Sequence, residues 1–191
     1  MKRKELRKAA AAKIAMGYSR QHAYDALRME EPMADNEELA NAVRYTPSLI
    51  AREHFKTERN VLMLLVMVLA VFYFWQMTAL YLDQGSLRRL LSLALPIALV
   101  GFVVASKWNR GRTYSTIAFL TLYTGFHWWS RKNDLDLSDP LTIVWLALSV
   151  AVMALALYLH RTLTSDYTMQ RDPGQGMHKR AVFPPEPGAL A

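Results

Sequence analysis

The chain has 191 residues, room for one membrane domain and a small appendage but not for a large enzyme domain beside it. It carries 23 Lys and Arg against 16 Asp and Glu, a formal charge of +7, and no cysteine. That excludes a disulfide framework, a thiolate nucleophile and a cysteine-bound metal. Polar ends enclose an apolar middle, so the chain reads as all-α: a polytopic membrane protein with four transmembrane helices and a small cytoplasmic N-terminal helical module. Residues 1–60 hold no apolar run long enough for a signal-peptide core, so no cleaved secretory signal is expected and insertion begins at the first span.

Residues 1–46 predict three short helices. Lys2 to Met16 is rich in alanine and straight-chain residues, and Gly17 closes it. Ser19 caps a second helix ending near Met29, with Pro32 in the break that follows. Asp35 and Glu38 fit a capping box opening a third helix to about Arg44. The run Met16-Gly17-Tyr18-Ser19-Arg20-Gln21-His22-Ala23-Tyr24-Asp25-Ala26-Leu27-Arg28 resembles the first loop and second helix of a ubiquitin-associated (UBA) domain, where a Met-Gly-aromatic loop precedes a helix with spaced alanines and an Ala-Leu pair. Ala40, Ala42 and Val43 are compatible with its third helix. The first helix, poor in large apolar residues, and the acidic link from Glu30 to Ala34 depart from the pattern. The resemblance covers under a quarter of the chain and implies a UBA-like three-helix protein-docking module with Met16, Gly17 and Tyr18 as its contact loop.

Thr46 followed by Pro47 reads as a cap and first helical position, opening a stalk over residues 47–60. No Gly or Pro occurs from there to Gly85, so the stalk is expected to run as a continuous rod into the first span, with a bend around Thr57 to Asn60 as the alternative. A hydrocarbon core of roughly 30 Å takes about 20 helical residues at about 1.5 Å each. Four stretches within residues 61–162 qualify: about 61–82, 90–106, 113–130 and 140–160, the third being the least hydrophobic. Residues 163–191, dense in Pro and Gly, read as an extended cytoplasmic tail that orders only against a partner.

Lysine and arginine set the orientation. The two termini and the loop from Lys107 to Arg112 hold 19 of the 23, while the two opposite loops hold Arg88, Arg89, Arg131 and Lys132, balanced by Asp83, Asp134, Asp136 and Asp139. Both termini are therefore expected on the cytoplasmic side, or the matrix or stromal side of an organelle. Nucleic acid is not an expected partner, because 9 acidic residues are mixed into the basic first 60 without an aromatic-interleaved base-binding signature.

Inside the spans the chemistry is quiet. No Asp, Glu, Lys or Arg lies within them, which argues against a proton-coupled pump. A candidate polar intramembrane face is Thr121, Thr124 and His127. The third span runs outward and the fourth inward, so His127 and His160 lie near opposite faces of the membrane and cannot share a haem iron; no cofactor is expected and no metal site. The expected function is a non-catalytic structural or accessory subunit of a larger membrane complex, in contact with the bilayer and with other membrane subunits as a homo- or hetero-oligomer. It is not expected to be an enzyme. The alternative is an oligomeric channel or small-solute permease with Thr116, Thr121, Tyr123, Thr124 and His127 along its path.

Overall fold

Three short helices open the chain, and their ends fall at the punctuation in the sequence. α1 is Arg3–Ala15, α2 Arg20–Glu30 and α3 Asn36–Arg44. The structure is a computed structural model that describes residues 3–84, 111–131, 139–171 and 179–186. α1 ends in a Schellman motif: Tyr18 N–H donates to Lys13 O and Gly17 N–H to Ile14 O, with Gly17 at φ 96°. Open space surrounds the position of a Cβ on Gly17, so Gly17→Ala meets no clash and isolates the backbone strain. That variant is expected to lose about 1–2 kcal/mol, read as a lower melting temperature.

Ser19 Oγ accepts from His22 N at 3.2 Å and Asp35 Oδ1 from Glu37 N at 3.3 Å, so both predicted caps are in place. The expected return arm of the capping box instead serves tertiary structure, because Glu38 Oε1 accepts from Arg3 Nε at 2.8 Å, tying α3 to α1. Leu6, Ala10 and Ile14 repeat every four residues on α1, and with Ala23, Tyr24 and Leu27 of α2 and Leu39, Ala40 and Val43 of α3 they form a buried core.

The next helix starts later than Thr46-Pro47 predicts. Ser48 is the N-cap of α4 (Leu49–His54), its Oγ accepting from Ala51 N at 3.2 Å. Nor is the stalk unbroken. Phe55, at φ −97° and ψ 23°, ends α4, and α5 (Lys56–Gln84) follows at once. Neither Gly nor Pro causes the break; Phe55 is buried, with its ring edge-on to His54 at 4.8 Å, and the backbone leaves helical geometry there.

Among the described residues two further helices follow, α6 (Gly111–Arg131) and α7 (Pro140–Leu163). α7 is opened by Asp139, whose carboxylate accepts from Leu141 N at 3.1 Å and Thr142 Oγ1 at 2.9 Å, with Pro140 in the first turn. The tail departs most from expectation. It forms a hairpin, β1 (Thr168–Arg171) antiparallel to β2 (Lys179–Val182), in the register Thr168 with Val182 through Arg171 with Lys179. The chain is thus mostly helical, with one short hairpin among the described residues.

The contacts divide the chain into two units. The first joins residues 1–56 to Arg112 at the start of α6 and to residues 161–191. The second contains 57–108 and 113–160. In the second unit α5 buries Leu62, Val66, Leu69 and Tyr73, and α7 buries Trp145, Val152, Ala156 and Leu159, each a helical stripe. The other faces are apolar as well, exposing for example Leu64, Val71 and Phe74 on α5 and Ile143, Val144 and Val150 on α7. Among the described residues, two helices are long and apolar enough to cross a membrane: Lys56–Trp75 within α5, and α7. The third predicted span is helical as α6, while the second, residues 90–106, lies outside the described residues.

Candidate functional site

The most constrained place in the first unit is built on Arg20, the first residue of α2, held there by the Ser19 cap. Its side chain is 2% exposed, rare for a residue that costs several kcal/mol to bury without partners. Those partners are backbone carbonyls from distant segments. Nη2 donates to Leu163 O at 2.6 Å, and Nε donates to Thr46 O at 3.2 Å. Leu163 ends α7, where carbonyls lack helical donors and the helix dipole favours a cation. The Arg20 backbone N–H donates to Glu186 Oε1 at 3.0 Å, which brings in the tail. Burial lowers the Arg20 pKa from its ordinary value; the Glu186 carboxylate opposes the shift and Arg52 adds to it. One arginine thus ties together the start of α2, the α3–α4 link, the end of α7 and the tail.

Beside this node the hairpin completes the helical core, with Ala181 and Phe183 buried among the bundle residues. The edge of β2 that faces away from β1 is satisfied by side chains instead of a third strand. Asn36 Nδ2 donates to Lys179 O at 2.8 Å. Ala181 N donates to the Tyr24 hydroxyl at 3.2 Å, which itself donates to Asn36 Oδ1 at 3.2 Å. The Gln21 amide donates to Ala181 O at 3.3 Å and accepts from Phe183 N at 2.9 Å. An edge that would otherwise invite pairing is therefore closed. Arg180 clasps Asp25 at 2.6 and 3.2 Å, and Arg44 pairs with Asp166. Because the Asp25 pair is partly exposed, Arg180→Gln is expected to cost under about 1 kcal/mol in thermal unfolding. Tyr45 lies beneath Arg112, 4.3 Å from its ring centroid, which ties the start of α6 to the same unit.

The predicted contact loop is at the surface: Met16 is 76% and Tyr18 45% exposed, and the left-handed Gly17 holds the turn between them. The predicted polar face is only partly assembled. Thr121 and Thr124 are buried, but their hydroxyls donate within their own helix, to Ile117 O and Leu120 O, both at 2.9 Å. Tyr123 is exposed on another face, stacked on Phe119, and the His127 side chain lies outside the described residues. Thr124 instead joins Tyr73, Trp145 and Ser149 in a buried cluster between α5, α6 and α7. Gly125 faces the Trp145 ring, which lies 3.8 Å from where a Cβ would stand, an ordinary van der Waals contact.

Sequence reasoning missed Arg20, Glu186, the receptor side chains Gln21, Tyr24 and Asn36, and the hairpin itself. The available signal was weak: Val182 and Phe183, a β-branched and an aromatic residue that favour strands, just ahead of the paired prolines. Among the described residues no group of three or more His, Asp or Glu is placed to hold a metal ion. Comparison of this chain with protein-family models, with curated proteins and with solved structures finds no match.

Proposed function

We propose that the chain is a non-catalytic integral membrane subunit with four spans, whose two ends form one protein-docking unit on the cytoplasmic, matrix or stromal side. The observation that carries this reading is the composition of the first unit. It holds the N-terminal helices, the start of α6, the end of α7 and the hairpin. A chain that leaves such a unit along α5 and rejoins it at Arg112 crosses a bilayer an even number of times in between, which calls for a second span after α5. Residues 90–106 supply a sequence of that character. The excursion through α6 and α7 supplies the other pair. The apolar outward faces of α5 and α7 support lipid or subunit contact, since a water-facing helix would be polar there.

The docking assignment rests on the three-helix bundle and its exposed Met16-Gly17-Tyr18 turn, which support the UBA-like reading. The absence of Asp, Glu, Lys and Arg from the four predicted spans favours an accessory role over transport. The test is gentle extraction of the tagged chain from its native membrane. A defined membrane complex that loses its partner when Met16 and Tyr18 are replaced by serine and alanine is the expected result. A lone monomer with no companion subunit contradicts it.

A further inference from the structure

Charge is segregated within the first unit. Residues 2–13 hold six Lys and Arg and one Glu, whereas residues 14–56 hold five Lys and Arg against seven Asp and Glu. The positive excess therefore sits on α1, whose Leu6, Ala10 and Ile14 are committed to the bundle core. Two of its cations serve the fold: Arg3 meets Glu38 at 2.8 Å and Lys13 meets Glu30 at 2.5 Å. Lys4, Arg7 and Lys8 do not. All three are exposed, and among the described residues none of their side chains has a hydrogen-bond or ion-pair partner. At spacings of three and four they share one side of the helix, where like charges weaken it. The bundle gains nothing from this cluster, so its use lies outside the bundle.

The make-up of this side selects the anion. One turn beyond the cations it offers only Ala11, exposed and small. It lacks the aromatic anchors on which a tight protein contact depends, and the aromatic side chains on which bases stack. What it presents is long, flexible cations on an otherwise smooth helix side, suited to a diffuse layer of negative charge. Anionic phospholipid headgroups form such a layer. They are also within reach. The chain passes between this unit and the second inside α5, in the first turn of α6 and near the end of α7. On the membrane reading proposed above, those three helices enter the bilayer directly from the unit that carries α1, without a linker.

We infer that Lys4, Arg7 and Lys8, on the outer side of α1, bind anionic phospholipid headgroups of the membrane in which the chain is embedded. The inference rests on that membrane reading, and the test separates the two. The full chain, with Ala11→Cys as its one cysteine carrying a fluorescent label, is placed in lipid nanodiscs. The discs are phosphatidylcholine alone, or phosphatidylcholine with about a third phosphatidylserine, each with a trace of lipid bearing a nitroxide on its headgroup. Entry of the chain into both kinds of disc, read by size-exclusion chromatography, tests the membrane reading by itself. Quenching of the label tests the headgroup contact. Quenching is expected in the phosphatidylserine discs and not in the others, and it should fade toward about 1 M salt, where screening acts within about 3 Å. Lys4→Gln with Arg7→Gln and Lys8→Gln should lower the ratio of bound to free by about a hundredfold, which is about 1 kcal/mol for each cation, and Lys8→Gln alone by about fivefold. Glutamine forms helix about as readily as lysine and the three side chains are exposed, so the variants should melt as the parent does. A chain that enters neither kind of disc removes the membrane reading and this inference with it. Entry with equal quenching in both discs, or with quenching undiminished in the triple variant, overturns the inference alone. Entry without quenching in either leaves the cations to water or to a soluble acidic partner and overturns it too.

Discussion

Arg20→Met is expected to destabilise the first unit by about 3–5 kcal/mol, because it removes two buried hydrogen bonds from a charged donor, each worth about 1.5–3 kcal/mol. The side chain is buried, so its contacts are not weakened by solvent screening. Methionine matches much of its volume but leaves Thr46 O and Leu163 O without their donor and Glu186 without its neighbouring cation. The Arg20 backbone N–H can still donate to Glu186, so the tail is loosened rather than simply released. Arg20→Lys separates charge from geometry. An ammonium keeps the cation but lacks the fork that serves two carbonyls at once, so most of the loss should remain. Thermal unfolding in detergent gives the magnitude, and protease sensitivity around residues 164–167 gives the location. A variant that melts within about 0.5 kcal/mol of the parent, the usual range for a surface change, would show that Arg20 is no keystone.

The second large effect concerns Phe183. Phe183→Ala is expected to cost about 3 kcal/mol or more, the scale for truncating a buried aromatic ring. Its ring packs against Tyr24 at 6.1 Å and Tyr167 at 5.6 Å between centroids, joining the bundle to both flanks of the hairpin. Deleting residues 164–191 goes further: it removes Ala181 and Phe183 from the core and strips Gln21, Tyr24 and Asn36 of their strand partners. The bundle should then open to protease within α2 and α3. If the truncated chain keeps the parent's protection there, the tail is an ornament on the bundle and not part of its core.

How much of this was legible in the sequence differs along the chain for physical reasons. Gly17, Ser19 and Asp35 act through their own backbone neighbourhood, so the boundaries of α1, α2 and α3 could be read locally. Glu38 fitted a local capping box equally well, yet it serves a tertiary contact with Arg3. The end of α4 is also set by tertiary structure: Phe55 is buried and the helix stops there, although nothing in its composition signals a stop. The hairpin was hidden because two four-residue strands carry too little alternation to stand out among prolines and glycines. What orders it lies more than 100 residues away, in Gln21, Tyr24 and Asn36. Arg20 looked like one more cytoplasmic cation in a stretch full of them. Of the polar face, the burial of Thr121 and Thr124 could be anticipated, but their hydroxyls turn back on their own helix.

The proposed topology places the two ends of the chain in one unit on one side of a membrane crossed four times. Since the chain has no cysteine, single cysteines report position without a background to remove. The measurement is labelling with a membrane-impermeant maleimide in sealed vesicles of each orientation. Cysteines are introduced singly as Met33→Cys and Arg171→Cys in the first unit, and as Ser86→Cys and Asp134→Cys in the two loops predicted on the other side. Positions 33 and 171 should label from one face only, the cytoplasmic, matrix or stromal one, and positions 86 and 134 only from the opposite face. Labelling of 33 and 171 from opposite faces, or of 86 from the same face as 33, would contradict the account.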